Sequence, residues 1–341
     1  MSTSTHRILF TGQDQVEIAH ETISAPAPHE IQVRTRKSLI STGTECIVLG
    51  RKYAPGSHWD NWVKSQLDGF APGYLNAGEV VALGAGVEGF QIGDRVACRA
   101  GHRQLFNVAA ARALPIPNGV SDEEAAWFGL AKITQIGVRR ANHKLGDAVV
   151  LIGLGLLGQL VTQYARLSGA REVIAIDTAP KRLEMAKAHG ATHTLEMGVG
   201  DAAEAVRDIT EGRGADVVYD ITGHPTVFAP ALGLARRFGT LLLLGDTGTP
   251  GEQRLTSDVV TRGVQIVGAH DGFDTPQVTD TDFWTEHNME RLFFNYVARG
   301  QMNVADLITN RFPALEAAQA YHLLQTDRSN VMGVILDWDR L

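Results

Sequence analysis

Cysteine, long apolar runs and net positive charge are all scarce in this chain of 341 residues. It holds two cysteines, Cys46 and Cys98. Two thiols cannot build a disulfide framework or a four-cysteine structural zinc lobe. No apolar run reaches the ~18 residues of a membrane span, and no apolar stretch follows the polar first residues. The expectation is a reduced, soluble, cytoplasmic protein with no membrane partner. Acidic side chains outnumber basic ones by 38 to 31, for a formal charge of −7. No basic run forms an arm, so a nucleic-acid partner has no electrostatic footprint. What remains is an ordinary globular composition, 44% apolar and 20% charged, in a chain long enough for two domains.

The texture changes near Ser121. Before it the chain is rich in glycine, valine and turn signals, and short strands are expected at Arg7–Phe10, Val16–Glu21, Ile31–Leu39, Glu79–Gly84 and Arg95–Arg99. These suggest a small antiparallel barrel. Ser121 with Glu124 three residues on reads as a capping box, opening a helical stretch to about Ala141. Apolar strands then alternate with helical segments. Strands are expected at Ala148–Ile152, Glu172–Ile176, Thr192–Leu195, Asp216–Asp220, Thr240–Leu244 and Gln265–Val267. That alternation is the signature of a doubly wound parallel sheet. The last stretch carries a helix from Met289 to about Arg299, a strand-like Leu307–Phe312, a helix Leu315–Leu324, and Val331–Trp338. It breaks the alternation and reads as a return to the first domain. The expected division is 1–128 with 273–341 as one discontinuous domain and 129–272 as the other.

A glycine triplet, Gly153-Leu154-Gly155-Leu156-Leu157-Gly158, follows the strand Ala148–Ile152 and opens the helix Gln159–Leu167. Gly153 permits the tight turn, Gly155 lets backbone approach a pyrophosphate, and Gly158 lets helix and strand pack closely. The helix N-terminus then offers free N–H groups to phosphates. A second strand ends at Asp177, where a carboxylate accepts ribose hydroxyls and repels a 2′-phosphate. NAD is therefore expected over NADP. Lys181 and Arg182 argue the other way unless they are solvated helix residues. Thr222, Gly245, Gly268 and His270 follow later strands, at the carboxyl edge where ligands of such sheets bind.

These segments resemble the medium-chain dehydrogenase/reductase superfamily over essentially the whole chain. The resemblance is carried by Ile40-Ser41-Thr42-Gly43-Thr44-Glu45, Pro72-Gly73-Tyr74 with Gly78-Glu79-Val80, and Gly93-Asp94-Arg95-Val96. The glycine triplet, Thr222-Gly223, Ile308–Phe312 and Gly333–Trp338 add to it. The resemblance implies a GroES-like β-barrel catalytic domain and a Rossmann domain, an α/β protein overall. It also implies a cleft between the domains, and a homodimer or homotetramer.

The chain departs from the zinc-dependent members at each catalytic ligand position. Ser41 or Thr42 stands in place of a Cys, Tyr74 in place of a His, and Phe128-Gly129-Leu130-Ala131-Lys132 offers no Cys, His, Asp or Glu. Zinc wants three or four such donors, so neither catalytic nor structural zinc is expected. His58, His102 and His270 lie on loops that could converge, but spacing gives that no support. Without zinc, the reacting oxygen must be held by hydrogen-bond donors or a cation. Tyr74 is the candidate acid/base, its phenol made more acidic by an adjacent ammonium such as Lys132, with Thr44 completing a relay. The alternative is that Tyr74 fills the space of the lost metal and Lys132 reaches the cofactor ribose or solvent. Glu45 orients neighbouring groups or binds substrate. Tyr53, His58, Trp59 and Trp62 suit stacking on a ring substrate, loop anchoring or subunit contact, and Phe273 follows the last sheet strand.

The reading these residues favour is a zinc-independent, NAD-linked dehydrogenase of a small-molecule secondary alcohol or the matching ketone, on a sugar, cyclitol or other ring. The alternatives are a zinc-free quinone or enoyl reductase, and a protein that binds nucleotide without turnover.

Overall fold

The computed structural model describes residues 3–66 and 69–340. The chain forms two compact units. One contains Met1–Lys52, His58–Gly129 and His287–Leu341; the other contains Tyr53–Ser57 and Leu130–Glu286. In chain order the strands begin with β1 (Thr3–Gly12), β2 (Gln15–Ile23), β3 (Glu30–Leu39), β4 (Asn76–Leu83), β5 (Arg95–Cys98), β6 (Leu105–Ala109) and β7 (Leu114–Pro115). The second unit contributes β8 (Ala148–Ile152), β9 (Glu172–Asp177), β10 (His193–Glu196), β11 (Ala215–Asp220), β12 (Ala235–Leu243) and β13 (Gln265–Gly268). The tail adds β14 (Ile308–Pro313) and β15 (Gly333–Asp337).

β3 is the trunk of the first unit. Along one edge it pairs with β4 from Ile31 to Ser38; the other is divided between β6, along Glu30–Arg34, and β15, along Lys37–Leu39. The sheet runs β14-β15-β3-β4-β5-β7 with β6 as a branch, and β1 and β2 form a separate antiparallel pair. The sheet is antiparallel except for β14 beside β15, so the purely antiparallel pattern expected from the first 120 or so residues is completed by a parallel pair from the tail. Ile31, Val33, Val80, Val96, Cys98 and Phe106 are packed into its core.

The capping box forms. Ser121 Oγ accepts from the Glu124 N–H at 3.2 Å, and Glu124 Oε2 accepts from the Ser121 N–H at 2.9 Å. The single helix expected to follow is instead two, Asp122–Ala125 and Phe128–Arg140. At the break Trp127 is fully buried, and its ring lies 2.9 Å from where a Cβ on Gly333 of β15 would stand.

In the second unit the six strands are parallel, in the order β10-β9-β8-β11-β12-β13. Sequence alternation becomes two cores. Val149, Leu151, Val173, Val217 and Leu242 enter one, while Val150, Ile152, Ile174, Val218 and Leu241 enter the other. Both faces of a parallel sheet are covered, which is why its strands read as continuous apolar runs. Among the described residues no helix is long and apolar enough to cross a membrane.

Both thiols are inert by burial. Cys46 and Cys98 are 2% and 1% exposed, and burial pushes their pKa values up to about 11 and about 12. The thiolate is the reactive form. A disulfide reagent such as dithionitrobenzoate should therefore label neither cysteine in the native protein and both in denaturant. Rapid labelling of the native protein would contradict this packing.

Candidate active site

The glycine triplet folds as a cradle. Gly153 has φ +91°, and a Cβ there would meet Thr222 Cγ2 at 2.7 Å. A Cβ on Gly158 would lie 2.2 Å from the Gly153 carbonyl oxygen, so only hydrogen fits between helix and turn. Gly155 differs: it precedes the helix Leu156–Leu167 with φ −69°, and no atom lies within 4 Å of its ideal Cβ. That open side, at a helix N-terminus, is where an anion fits. Leu156 at the helix start is buried and Leu157 half-buried.

Asp177 closes the cradle. Its Oδ2 accepts from the Leu154 N–H at 2.7 Å and its Oδ1 from the Ala179 N–H at 2.9 Å. Each oxygen keeps a further lone pair for a ribose hydroxyl. Arg182 Nη1 is 3.9 Å from Oδ2. Thr222 is fixed over Gly153 because its N–H and hydroxyl both donate to buried Asp220, at 3.0 and 2.7 Å. Burial pushes the Asp220 carboxyl up, against those two bonds. Gly245 is pinned: a Cβ there would meet the Gly223 nitrogen at 2.4 Å. Gly268 ends β13, and its carbonyl accepts from Arg140 Nε at 2.6 Å. These residues fit a dinucleotide.

The first unit holds a buried polar network. The carboxylate of Glu45, 1% exposed, accepts from the Ser41 N–H at 2.7 Å, from His102 Nε2 at 3.1 Å and from the Tyr321 hydroxyl. His102 Nδ1 meets Ser38 Oγ at 2.8 Å, and the Trp338 indole N–H donates to the same Oγ at 2.9 Å. A Ser38 hydroxyl that donates to Nδ1 leaves Nε2 as the donor to Glu45. Ser41 turns the network outward: its Oγ lies 2.7 Å from the Tyr74 hydroxyl. The Arg99 guanidinium lies 5.7 Å from the Tyr74 ring centroid. Thr44 is half-buried in the same helix as Glu45, Thr42–Leu49.

Lys132 belongs to the second unit. It is 2% exposed, and its ammonium donates to the Asp271 carbonyl, to Asp271 Oδ1 at 3.1 Å and to Asp274 Oδ1 at 2.8 Å, with Glu286 Oε1 at 3.8 Å. Those acceptors use all three of its N–H donors. It clasps the segment after β13 to its helix. The same helix holds that segment through Arg139 over Trp284 at 3.5 Å and Arg140 over Phe273 at 5.0 Å. His270 packs edge-on to Phe273, which is 54% exposed.

Trp59 and Trp62 form the start of an aromatic line. Ring centroids step from Trp59 to Trp62 (5.9 Å), Phe70 (4.8 Å), Phe10 (6.1 Å) and Tyr321 (5.0 Å), whose hydroxyl ends on Glu45. His58 packs on Trp59 at 5.2 Å, and Tyr53 lies in the second unit. Among the described residues no three His, Cys, Asp or Glu side chains gather as a metal would need. Arg99 and Tyr321 escaped the sequence reading, Ser41 entered it only as a candidate for the vacated Cys position, and His102 only as a metal candidate. The one available signal was position, since Ser41 lies inside the first motif and Arg99 ends a strand.

Comparison with known proteins bears on the family and the fold. Residues 28–127 match the alcohol dehydrogenase GroES-like domain and residues 157–281 the zinc-binding dehydrogenase family. The chain is 27% identical over 355 aligned positions to L-threonine 3-dehydrogenase of Anaeromyxobacter sp. (strain Fw109-5), covering 92% of this chain and 94% of that one. It is 29% identical over 301 positions to D-guloside 3-dehydrogenase of Shigella flexneri, covering 82% and 84%. An alcohol dehydrogenase of Escherichia coli CFT073 complexed with NADH superposes with a TM-score of 0.80 at 20% identity, covering 98% of this chain and 100% of that one. The chain belongs to the medium-chain, zinc-type alcohol dehydrogenase family, with a GroES-like β domain and a six-stranded Rossmann sheet. It is an alcohol or polyol dehydrogenase of class EC 1.1.1.-.

The two glycines separate binding from stability. Gly158→Ala should cost about 1–3 kcal/mol by overpacking. Gly155→Ala should leave stability within about 0.5 kcal/mol and weaken NAD about 10-fold or more. Denaturant titration and calorimetry read the two effects, and equal stability losses would refute the contrast.

Tyr321 offers a second check. Burial, followed by the neighbouring Glu45 carboxylate, holds its pKa well above 10. The folded phenol therefore stays protonated where the unfolded one ionises, so stability falls as pH rises above about 10. Tyr321→Phe should make that alkaline slope shallower. It should also lower neutral stability by about 1–3 kcal/mol, because Glu45 loses a buried donor. An unchanged slope would remove Tyr321 as its source.

Proposed function

We propose that the protein is a zinc-independent, NAD-linked dehydrogenase that interconverts a secondary alcohol and its ketone on a polyhydroxylated ring. The carrying observation is the 2.7 Å contact between Ser41 Oγ and the hydroxyl of Tyr74; Tyr74 stands where zinc-dependent relatives carry a His, and Ser41 or Thr42 where they carry a Cys. Hydroxyl and phenol oxygens do not fit the Cys and His donor set of a catalytic zinc, and no other donor cluster replaces them among the described residues. Asp177 supports NAD over NADP, and the guloside-oxidising relative supports a ring substrate.

Bound NAD supplies the hydride acceptor. Tyr74 is the base for the alcohol proton, and Ser41 Oγ is its hydrogen-bonded outlet. Glu45 holds the Ser41 backbone and so sets the position of that outlet. Lys132, saturated by acidic partners, serves as a clasp rather than as a proton relay.

The test is NAD reduction with a panel of cyclic polyols, before and after exhaustive chelation, with metal content measured. Full activity without zinc is expected, together with a loss of about 10²-fold or more in Tyr74→Phe. Activity that disappears on chelation and returns with zinc would overturn the reading. So would NADPH oxidation with enones or quinones as the sole activity, or tight NAD binding with no turnover.

A further inference from the structure

The zinc-free reading leaves one requirement unmet by Tyr74 and Ser41. Both are proton carriers, and neither is a fixed positive charge for the reacting oxygen. The first unit contains such a charge at this place.

Arg99 follows β5, and strand pairing decides what it faces. Asn76 of β4 is opposite Cys98, so the residues just before Asn76 run beside those just after Cys98. Two bonds hold this continuation. Asn76 Nδ2 donates to the Ala100 carbonyl at 2.5 Å, and the His102 N–H donates to the Pro72 carbonyl at 2.7 Å. His102 also underlies the turn before Tyr74: a Cβ on Gly73, at φ +91°, would lie 2.6 Å from its ring. The Arg99 and Tyr74 segments are thus held together by one side-chain and one backbone bond, and His102 of that continuation joins the Glu45 network.

The guanidinium occupies a defined corner. Its carbon is 5.7 Å from the Tyr74 ring centroid and 5.9 Å from that of Phe128. At Gly129 an ideal Cβ would meet Leu75 Cδ2 at 2.6 Å and Arg99 Nη2 at 3.4 Å. The corner is therefore bounded by Tyr74, Phe128 and Gly129, with Ser41 joined to it through the Tyr74 hydroxyl. Ser41 or Thr42, Tyr74 and the stretch Phe128–Lys132 are the places where the sequence has no zinc ligand, and the corner touches Tyr74 and the first two residues of that stretch. The group standing among them is a cation that cannot be titrated away and carries five N–H donors.

We infer that Arg99 is the electrophile of this site: its guanidinium holds the substrate oxygen beside Tyr74 and stabilises the charge that develops on it. The inference rests on the zinc-independent reading above. In the oxidative direction the hydroxyl proton passes to the Tyr74 oxygen. The carbon-bound hydrogen leaves as hydride to the oxidised nicotinamide. The oxygen, now a carbonyl, remains on the guanidinium. Alcohol and oxidised cofactor give ketone, reduced cofactor and one proton. The same charge favours the Tyr74 phenolate over the phenol. Arg99 thus has two effects, one on the substrate oxygen and one on the base.

The experiment uses full-length, metal-free Arg99→Ala and Arg99→Lys proteins. Arg99→Ala should lose about 10²–10³ in kcat. Methylguanidinium at non-denaturing concentration should return part of that rate, since it restores the missing group to the corner. Arg99→Lys should fall between, keeping the charge without the fork. Independently of turnover, the ultraviolet phenolate signal that wild type shows and Tyr74→Phe lacks should titrate at higher pH in Arg99→Ala. Arg99→Ala at near-wild-type rate overturns the inference. So does a slowed Arg99→Ala with no rescue and an unmoved Tyr74 titration, which is the signature of a packing role. If Arg99→Ala does not fold, Arg99→Lys with wild-type rate and wild-type Tyr74 titration overturns a need for the guanidinium fork. Failure of the underlying reading looks different: wild-type activity itself would then follow bound zinc.

Discussion

A carboxylate taken out of water must be compensated, and in the first unit that carboxylate is Glu45. Its buried oxygens receive donors from three directions: the Ser41 backbone, the His102 ring and the Tyr321 hydroxyl. An unpaired buried charge costs several kcal/mol, so the three elements that bring these donors are constrained together. Helix Thr42–Leu49 carries Glu45 itself, the loop after β5 carries His102, and helix Ala317–Thr326 carries Tyr321. Trp338 adds the C-terminal end through Ser38. Residues nearly 300 apart in sequence are joined by one charge. Tyr74 takes its orientation from that arrangement, through Ser41 above and Gly73 over the His102 ring.

The second unit uses the same device with other groups. Asp177 spends part of each carboxylate oxygen on backbone N–H groups of the glycine turn and the following loop, which fixes the turn and leaves acceptors for a ribose. Lys132 is the mirror case, a buried cation whose three donors are met by the Asp271 backbone carbonyl and the Asp271 and Asp274 carboxylates. Buried charges in this protein are thus structural first. The chemistry is assigned to groups that sit at their edge: Tyr74 beside Ser41, and Arg99 in the corner beyond Tyr74.

Much of this was readable before any coordinates. The glycine turn, Asp177 and the parallel sheet follow from local rules: a tight turn, a helix N-terminus, a strand buried on both faces. The packing of Trp127 was not readable, because it is set against Gly333, which lies far along the chain in β15. Lys132 illustrates the same limit. Its place in the motif makes Lys132 a candidate proton partner, but Asp271, Asp274 and Glu286 come from a distant segment and satisfy it. Arg99 is the converse. Nothing local distinguishes it from any arginine at a strand end, and its meaning comes from Tyr74, Phe128 and Gly129 around it.

By itself, then, the sequence determined the glycine turn with its acidic partner and the two-part organisation, since each is written in spacing, periodicity and side-chain identity along a continuous stretch. Tertiary structure alone decided which polar groups face Tyr74. Ser41 and Arg99 reach it from just beyond β3 and β5, and the Glu45 network behind Ser41 draws in the C-terminal tail; the partners of a buried charge are set by tertiary pairing rather than by which residues are neighbours in the chain.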